Sequence, residues 1–204
     1  MIDRLREIAG RDVSRETFRR IEDYVALLRA AAAEQNLIAP STMDAIWDRH
    51  VLDSAQLVRF APSPLASWLD IGSGAGLPGI IIALLVAGPV TLIEPRRLRV
   101  GFLEHAVGHL GLAPRVSILG SKVERIEGRF DVITARAVAS LSNLLEISAH
   151  LSTRKTTWVL PKGRSARTEL AEAQRSWQGS FHLEPSVTGE DSYIIVGSGV
   201  GKKI

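Results

Sequence analysis

A chain of 204 residues, 46% hydrophobic and 23% charged, has the length of one domain with a short appendage and enough apolar content to bury a core. It has no cysteine, which excludes disulfides and cysteine-ligated metals, and its formal net charge of +3 permits an anionic partner without requiring one. The longest apolar run, Gly79 to Val90, is about a dozen residues against the ~20 of a bilayer span, and no basic-then-apolar leader follows Met1, so a soluble cytoplasmic protein without membrane contact is expected.

Residues 1–62 read as a helical cap. Phe18, Ile21, Val25, Leu28 and Ala32 recur at helical spacing, with Ser14 placed as N-cap. A second helix is predicted after Thr42 on Met43, Ile46, Trp47, Leu57 and Val58, and the prolines of Ala61–Leu65 end it. From 63 to 204 the pattern changes to short apolar runs alternating with helical stretches. Strands are predicted at Trp68–Ile71, Val90–Glu94, Val116–Leu119, Phe130–Thr134 and Thr157–Leu160, with helices at Arg97–Gly111 and Leu141–Leu151 between them. Such alternation builds βαβ units around a mostly parallel sheet, so the fold class is α/β. Phe181–Val187 and Tyr193–Val196 read as a terminal antiparallel hairpin, and cap and sheet are read as one structural unit.

The segment with most chemistry runs from Asp70 to Gly79, DIGSGAGLPG, between a strand and a helix. Its glycines allow positive φ and let a ligand approach the backbone. Asp70, Gly72, Ser73, Gly74, Gly76 and Leu77 are the candidate binding residues here. Glu94, at the end of the next strand, can accept both hydroxyls of a ribose. A glycine loop and a sugar-binding acid at neighbouring strand ends make a nucleoside-cofactor site. Gly74–Gly79 also satisfies the dinucleotide pattern G-x-G-x-x-G, a weak match when alone. Asp70 stands where it would repel a pyrophosphate, so S-adenosylmethionine (SAM) is favoured over a dinucleotide or a purely structural loop.

Further blocks follow in order over about residues 20 to 200: Arg49-His50 with Asp53-Ser54, Arg99 with Phe102-Leu103, Val123-Glu124, Phe130-Asp131, Ala135-Arg136-Ala137 and Lys162-Gly163. With the glycine loop, they make the chain resemble the bacterial small-subunit (16S) ribosomal RNA guanine-N7 methyltransferases, the glucose-inhibited division protein B family. It departs from the family's usual residues at Asn36-Leu37-Ile38, Pro95, Leu98, Ala135 and Val138. The resemblance implies a class I SAM-dependent methyltransferase fold with a Rossmann-like seven-stranded sheet. It also implies SAM contacts at Gly72, Leu77, Val123, Glu124 and Arg136, and 16S rRNA or the small ribosomal subunit as partner.

Guanine N7 carries a free lone pair and loses no proton when methylated. No general base is then needed, consistent with the lack of a nucleophile–base pair in the sequence, and no catalytic residue is assigned. Arg49, His50, Asp53, Ser54, Arg99, Arg136 and Lys162 are the candidates for holding RNA. On a regular helix Asp53 is i,i+4 from Arg49 and i,i+3 from His50, and the alternative to RNA contact is that they pair on the helix surface beside a packed histidine. Lys162 follows an apolar strand with no acidic neighbour in sequence, so it contacts phosphate or caps a turn. His105, His109, His150 and His182 lack metal-ligand company, and no metal site is expected.

Overall fold

The computed structural model describes residues 1–32 and 37–203, so the family departure at Asn36 falls outside the described residues. The chain opens on α1 (Ile2–Ala9), which buries Leu5, Ile8 and Ala9 and ends at Gly10 in the left-handed conformation. Helix α2 (Arg15–Ala32) starts where predicted, with the Thr17 amide donating to Ser14 Oγ at 3.0 Å. It buries Ile21, Tyr24, Val25 and Leu28.

The predicted second helix is irregular. A 3-10 turn (Pro40–Thr42) precedes a π-helix (Trp47–Leu52), a single α-helical turn α3 (Asp53–Ala55) and another 3-10 stretch (Gln56–Phe60). Ser54 Oγ donates to the His50 carbonyl at 2.6 Å, and a polar side chain bonding its own helix backbone competes with the regular ladder. Wider turns of this kind are frequent at functional sites.

The sheet strands are β1 (Trp68–Ile71), β2 (Val90–Ile93), β3 (Val116–Leu119), β4 (Val132–Ala135), β5 (Thr157–Lys162), β6 (Trp177–Pro185) and β7 (Tyr193–Lys202). Their order is β3-β2-β1-β4-β5-β7-β6, with β1 to β5 parallel and β7 antiparallel to both neighbours. Helices α4 (Gly79–Leu85), α5 (Arg97–His109), α6 (Leu141–Ser148) and α7 (Ala166–Ala173) complete the α/β alternation. The terminal hairpin is longer than predicted. A bulge between Gln178 and Ser180 interrupts the alternation of β6, and Gly197, Gly199 and Gly201 dilute the apolar signal of β7.

Two apolar clusters form the core. One joins Leu5, Ile21, Tyr24 and Leu52 of the cap to Ile80–Leu84, Leu92, Phe102 and Leu103. The other joins Leu69, Ile93, Ile133 and Trp158 to Leu144 and Leu145 of α6 and Leu170 of α7. The cap therefore packs into the same core as α4 and α5. Among the described residues, no helix is long and apolar enough to cross a membrane.

Candidate active site

Strands β1, β2 and β4 end level with one another: Ile71 pairs with Ile93 on one side and with Ala135 on the other. The chain crosses one way from β1 to β2 and β3 and the other way to β4 and β5, so a crevice opens at these strand ends. The glycine loop fills its base. Gly72, Gly74 and Gly76 all have positive φ. A Cβ on Gly79 would lie 2.6 Å from Asp70 Oδ2, so only glycine lets α4 start against that carboxylate.

Asp70 is buried and accepts the Gly79 amide at 3.1 Å through Oδ2. Its Oδ1 is buried without a hydrogen-bond partner. Burial pushes its pKa up to about 7, against smaller downward pulls from Ser73, the Gly79 amide and Arg136. Glu94, also buried, accepts the Gly74 amide at 2.9 Å through Oε2 and the Arg96 amide at 2.9 Å through Oε1. Each of these oxygens keeps a second lone pair for a ligand hydroxyl. From the cap, the buried Tyr24 hydroxyl donates to the Ala75 carbonyl at 2.7 Å and ties α2 to the loop. The opening above the loop has a volume of about 300 Å³, with Leu37, Ile38, Pro95, Arg96, Arg99 and Arg136–Val138 completing its wall.

A larger cavity of about 780 Å³ adjoins it, and Arg136, Ala137 and Val138 border both. Ala137 has φ 55, rare for a residue with a Cβ, and Val138 is 40% exposed. Side chains from distant segments line this second cavity: Arg49, His50 and Asp53 from the cap, Lys162 at the end of β5, and Thr188 between β6 and β7. Asp53 Oδ1 accepts hydrogen bonds from Thr188 Oγ1 at 2.8 Å and Gln56 Nε2 at 2.9 Å. Arg136 Nη1 lies 3.6 Å from Asp53 Oδ2 and 3.5 Å from the Arg49 carbonyl. His50 Nε2 meets Thr42 Oγ1 at 2.8 Å; burial, with Arg136 and Arg49 nearby, lowers its pKa to about 4. Its imidazole is neutral at physiological pH.

Most sequence-predicted residues thus converge on the two cavities. Gly72, Ser73, Gly74, Leu77 and Glu94 line the smaller one, and Asp70 and Gly76 lie beneath its floor. Arg99, expected among the RNA contacts, lines the smaller cavity and not the larger. Val123 follows β3 as expected but packs into the second core cluster, and Glu124 is exposed; neither lines the crevice. Ser54 is buried under the larger cavity's wall, bonded to His50.

The surface pairing of Asp53 with Arg49 or His50 is replaced by contacts to Thr188, Gln56 and Arg136, because the π-helix spoils the regular spacing. Lys162 does line the larger cavity, but its ammonium donates to Glu169 Oε2 at 2.8 Å and the Ala139 carbonyl at 2.7 Å. Its acidic partner lies seven residues onward in α7, a helix whose weak apolar period the sequence does not reveal. Burial alone would raise the Glu169 pKa, but hydrogen bonds from Lys162 and Ser165 and the lysine charge outweigh it and hold it below the usual carboxylate range. Among the described residues, no group of three His, Asp or Glu is placed to hold a metal. Tyr24, Thr188 and Glu169 were missed. Only Tyr24 carried a local signal, a hydroxyl on the apolar face of a helix that needs a buried partner.

The site fits SAM: Asp70 Oδ1 is an orphaned acceptor beneath the loop, Glu94 offers paired carboxylate oxygens, and a Cβ on Gly74 would approach Arg99 Nη1 to 3.2 Å. Comparison with known proteins places the chain among methyltransferases. The family described as rRNA small subunit methyltransferase G matches residues 17–195. The ribosomal RNA small subunit methyltransferase G of Zymomonas mobilis subsp. mobilis is 48% identical over 200 residues, covering 94% of this chain and 90% of that protein. The protein of the same name from Rhizorhabdus wittichii is 46% identical over 197 residues, covering 95% and 90%. Among solved structures, a SAM-dependent methyltransferase from Aquifex aeolicus aligns with TM-score 0.61 at 15% identity, over 79% of this chain and 99% of that one. An O-methyltransferase from Bacillus cereus in complex with SAH aligns with TM-score 0.59 at 14% identity, over 86% and 90%. At such identities these structures speak for the fold, the class I methyltransferase sheet.

Proposed function

The chain belongs to the rRNA small subunit methyltransferase G family and is a SAM-dependent methyltransferase, and from that premise we propose that it methylates N7 of a guanine in 16S ribosomal RNA, free or in the small subunit, in the cytoplasm. The observation that carries the reading is the shared wall Arg136–Val138, which sets a cofactor crevice directly against a cavity large enough for a nucleotide. When bound, SAM supplies a methyl carbon on a positively charged sulfur.

Glu94 holds the ribose hydroxyls on its remaining lone pairs, while its bonds to the Gly74 and Arg96 amides fix the carboxylate in place. Gly72 and Gly74 leave room for the ligand against the backbone, and Asp70 supplies negative charge under the loop. Leu77 and Arg136 complete the cofactor contacts. Val123 and Glu124, which do not line the crevice, make no cofactor contact in this reading. On the far side of the wall, Arg49 and Arg136 meet the RNA, while His50 stays neutral and adds no charge. The guanine N7 lone pair attacks without losing a proton, so these residues position and no residue serves as base. Cap (1–62) and sheet domain (63–204) act as one unit, since Tyr24 of the cap holds the cofactor loop.

The test is incubation of the purified protein with methyl-labelled SAM and, separately, small-subunit RNA, assembled small subunits and large-subunit RNA from cells lacking the modification. Label is expected on small-subunit RNA in one or both of its forms. Label only on protein or large-subunit RNA would reject the reading.

A further inference from the structure

Guanine and adenine both offer N7, so a guanine-N7 enzyme must read something else on the base. Around the guanine ring the next groups after N7 are O6, an acceptor, and N1–H, a donor; in adenine the same two places hold a donor and an acceptor. The two cavities present their groups in a matching order. The smaller holds the cofactor residues, Arg136 borders both, and Asp53 lies only in the larger. Arg136 Nη1, a donor, stands 3.6 Å from Asp53 Oδ2, an acceptor.

We propose that Arg136 and Asp53 form the guanine-reading pair, Arg136 donating to O6 and Asp53 Oδ2 accepting from N1–H, so that N7 is left facing the cofactor crevice. The inference rests on the proposed function, which supplies guanine N7 as the acceptor.

The rest of the cavity supports this choice of acid. Its other carboxylate, Glu169, accepts Lys162, Ser165 and the Leu141 amide, so both its oxygens are occupied within the protein. Asp53 is anchored through Oδ1, by Thr188, Gln56 and Ser186, which aims Oδ2 at Arg136. Both members are mostly shielded, with side chains 20% and 17% exposed, so a base offering the wrong edge would leave a donor or acceptor unsatisfied out of water. A base must leave its stack to enter, and its Watson–Crick edge is then free to be read. Methylation makes the purine cationic and N1–H a stronger donor, so the bond to Asp53 strengthens as the reaction proceeds, the kind of contact that raises rate. Adenine would set its amino group against the Arg136 donor and its N1 lone pair against the Asp53 acceptor.

The test uses small-subunit RNA carrying guanine, inosine, 2-aminopurine or 7-deazaguanine at the target position, with the full chain as wild type and Asp53→Asn. Inosine keeps O6 and N1–H; 2-aminopurine keeps N7 but loses both; 7-deazaguanine keeps both but loses N7. Wild type is expected to methylate inosine within about tenfold of guanine and 2-aminopurine about a hundredfold more slowly or worse, as in sites that lose a designed hydrogen bond. In Asp53→Asn, Thr188 and Gln56 hold the amide oxygen and turn the NH2 toward the base. Guanine methylation should then fall by about a hundredfold, with SAM affinity held and the preference for guanine over 2-aminopurine largely lost. Equal wild-type rates on guanine and 2-aminopurine would overturn the pair, and so would an Asp53→Asn protein that keeps full guanine preference. Methylation of the 7-deazaguanine RNA would instead remove N7 as the acceptor, taking the proposed function and this inference with it.

Discussion

The two cavities are built from different materials. The cofactor crevice is floored by one continuous loop, and backbone amides hold its two carboxylates: Gly74 and Arg96 donate to Glu94, and Gly79 donates to Asp70. The larger cavity is made of side chains from segments far apart in sequence, joined by contacts such as Asp53 to Thr188 and Lys162 to Glu169. Backbone fixes the first tightly because each carboxylate is held by amides that cannot rotate away. Side chains leave the second adjustable, as suits a site that must admit a large substrate. Substitutions in the crevice should therefore change SAM affinity, and those in the larger cavity should change RNA handling or stability with SAM affinity held.

The largest effect is expected at Gly74. Its φ of 57 strains any residue that has a Cβ, and a valine would take up ligand space beside Arg99, so Gly74→Val should abolish measurable SAM binding. The backbone strain should cost about 1–3 kcal/mol of stability, leaving a folded protein. Calorimetry with SAM and NADH checks it, since wild-type binding of NADH without SAM would break the cofactor assignment itself.

Glu94→Ala should weaken SAM by about 1.5–3 kcal/mol, tenfold or more, by removing a charged acceptor. The same titration reads it, and an unchanged dissociation constant would remove Glu94 from the ribose contact.

Asp70 sharpens the comparison through pH. Its folded pKa is about 7, above the ordinary 3.8, so the free protein loses the stability of the buried neutral acid as pH rises from about 4 to about 7. A cationic ligand prefers the anion, so SAM affinity should fall as pH drops through about 7, and Asp70→Asn should flatten that profile. Calorimetry in buffers of different ionisation enthalpy would show proton release on binding near neutral pH in wild type only.

The smallest effect on ligands is expected at Lys162. Its charge is matched by Glu169, so Lys162→Ala should cost about 1–3 kcal/mol of stability and leave both SAM affinity and the salt slope of RNA binding unchanged. Thermal unfolding with RNA binding over a salt series decides it; a slope reduced by about one phosphate contact would make the lysine an RNA ligand.

What was legible in the sequence follows the same division. The crevice could be read because one segment, Asp70 to Gly79, contains its own turn glycines, and Glu94 ends the adjacent strand. The strand–helix alternation likewise gave the parallel sheet, since each element carries its own apolar period. Helix α7 was missed because it buries two alanines and one leucine, too little contrast to set a period. The roles of Asp53 and Lys162 were not legible, because Thr188 lies 135 positions from the first, and Glu169, seven positions from the second, belongs to the missed helix α7. Leu98 was visible as a departure and stands 76% exposed beside three arginines, and nothing in the structure explains it.

The central claim, transfer of a methyl group to guanine N7, is tested most directly at the atom. After reaction with SAM, the small-subunit RNA would be reduced with borohydride and treated with aniline, which cuts the chain at 7-methylguanosine, and the fragments sized. A single new cut at one guanine, dependent on SAM and lost in Gly74→Val, is the predicted result. Methyl transfer to this RNA with no cut at any guanine would contradict the account.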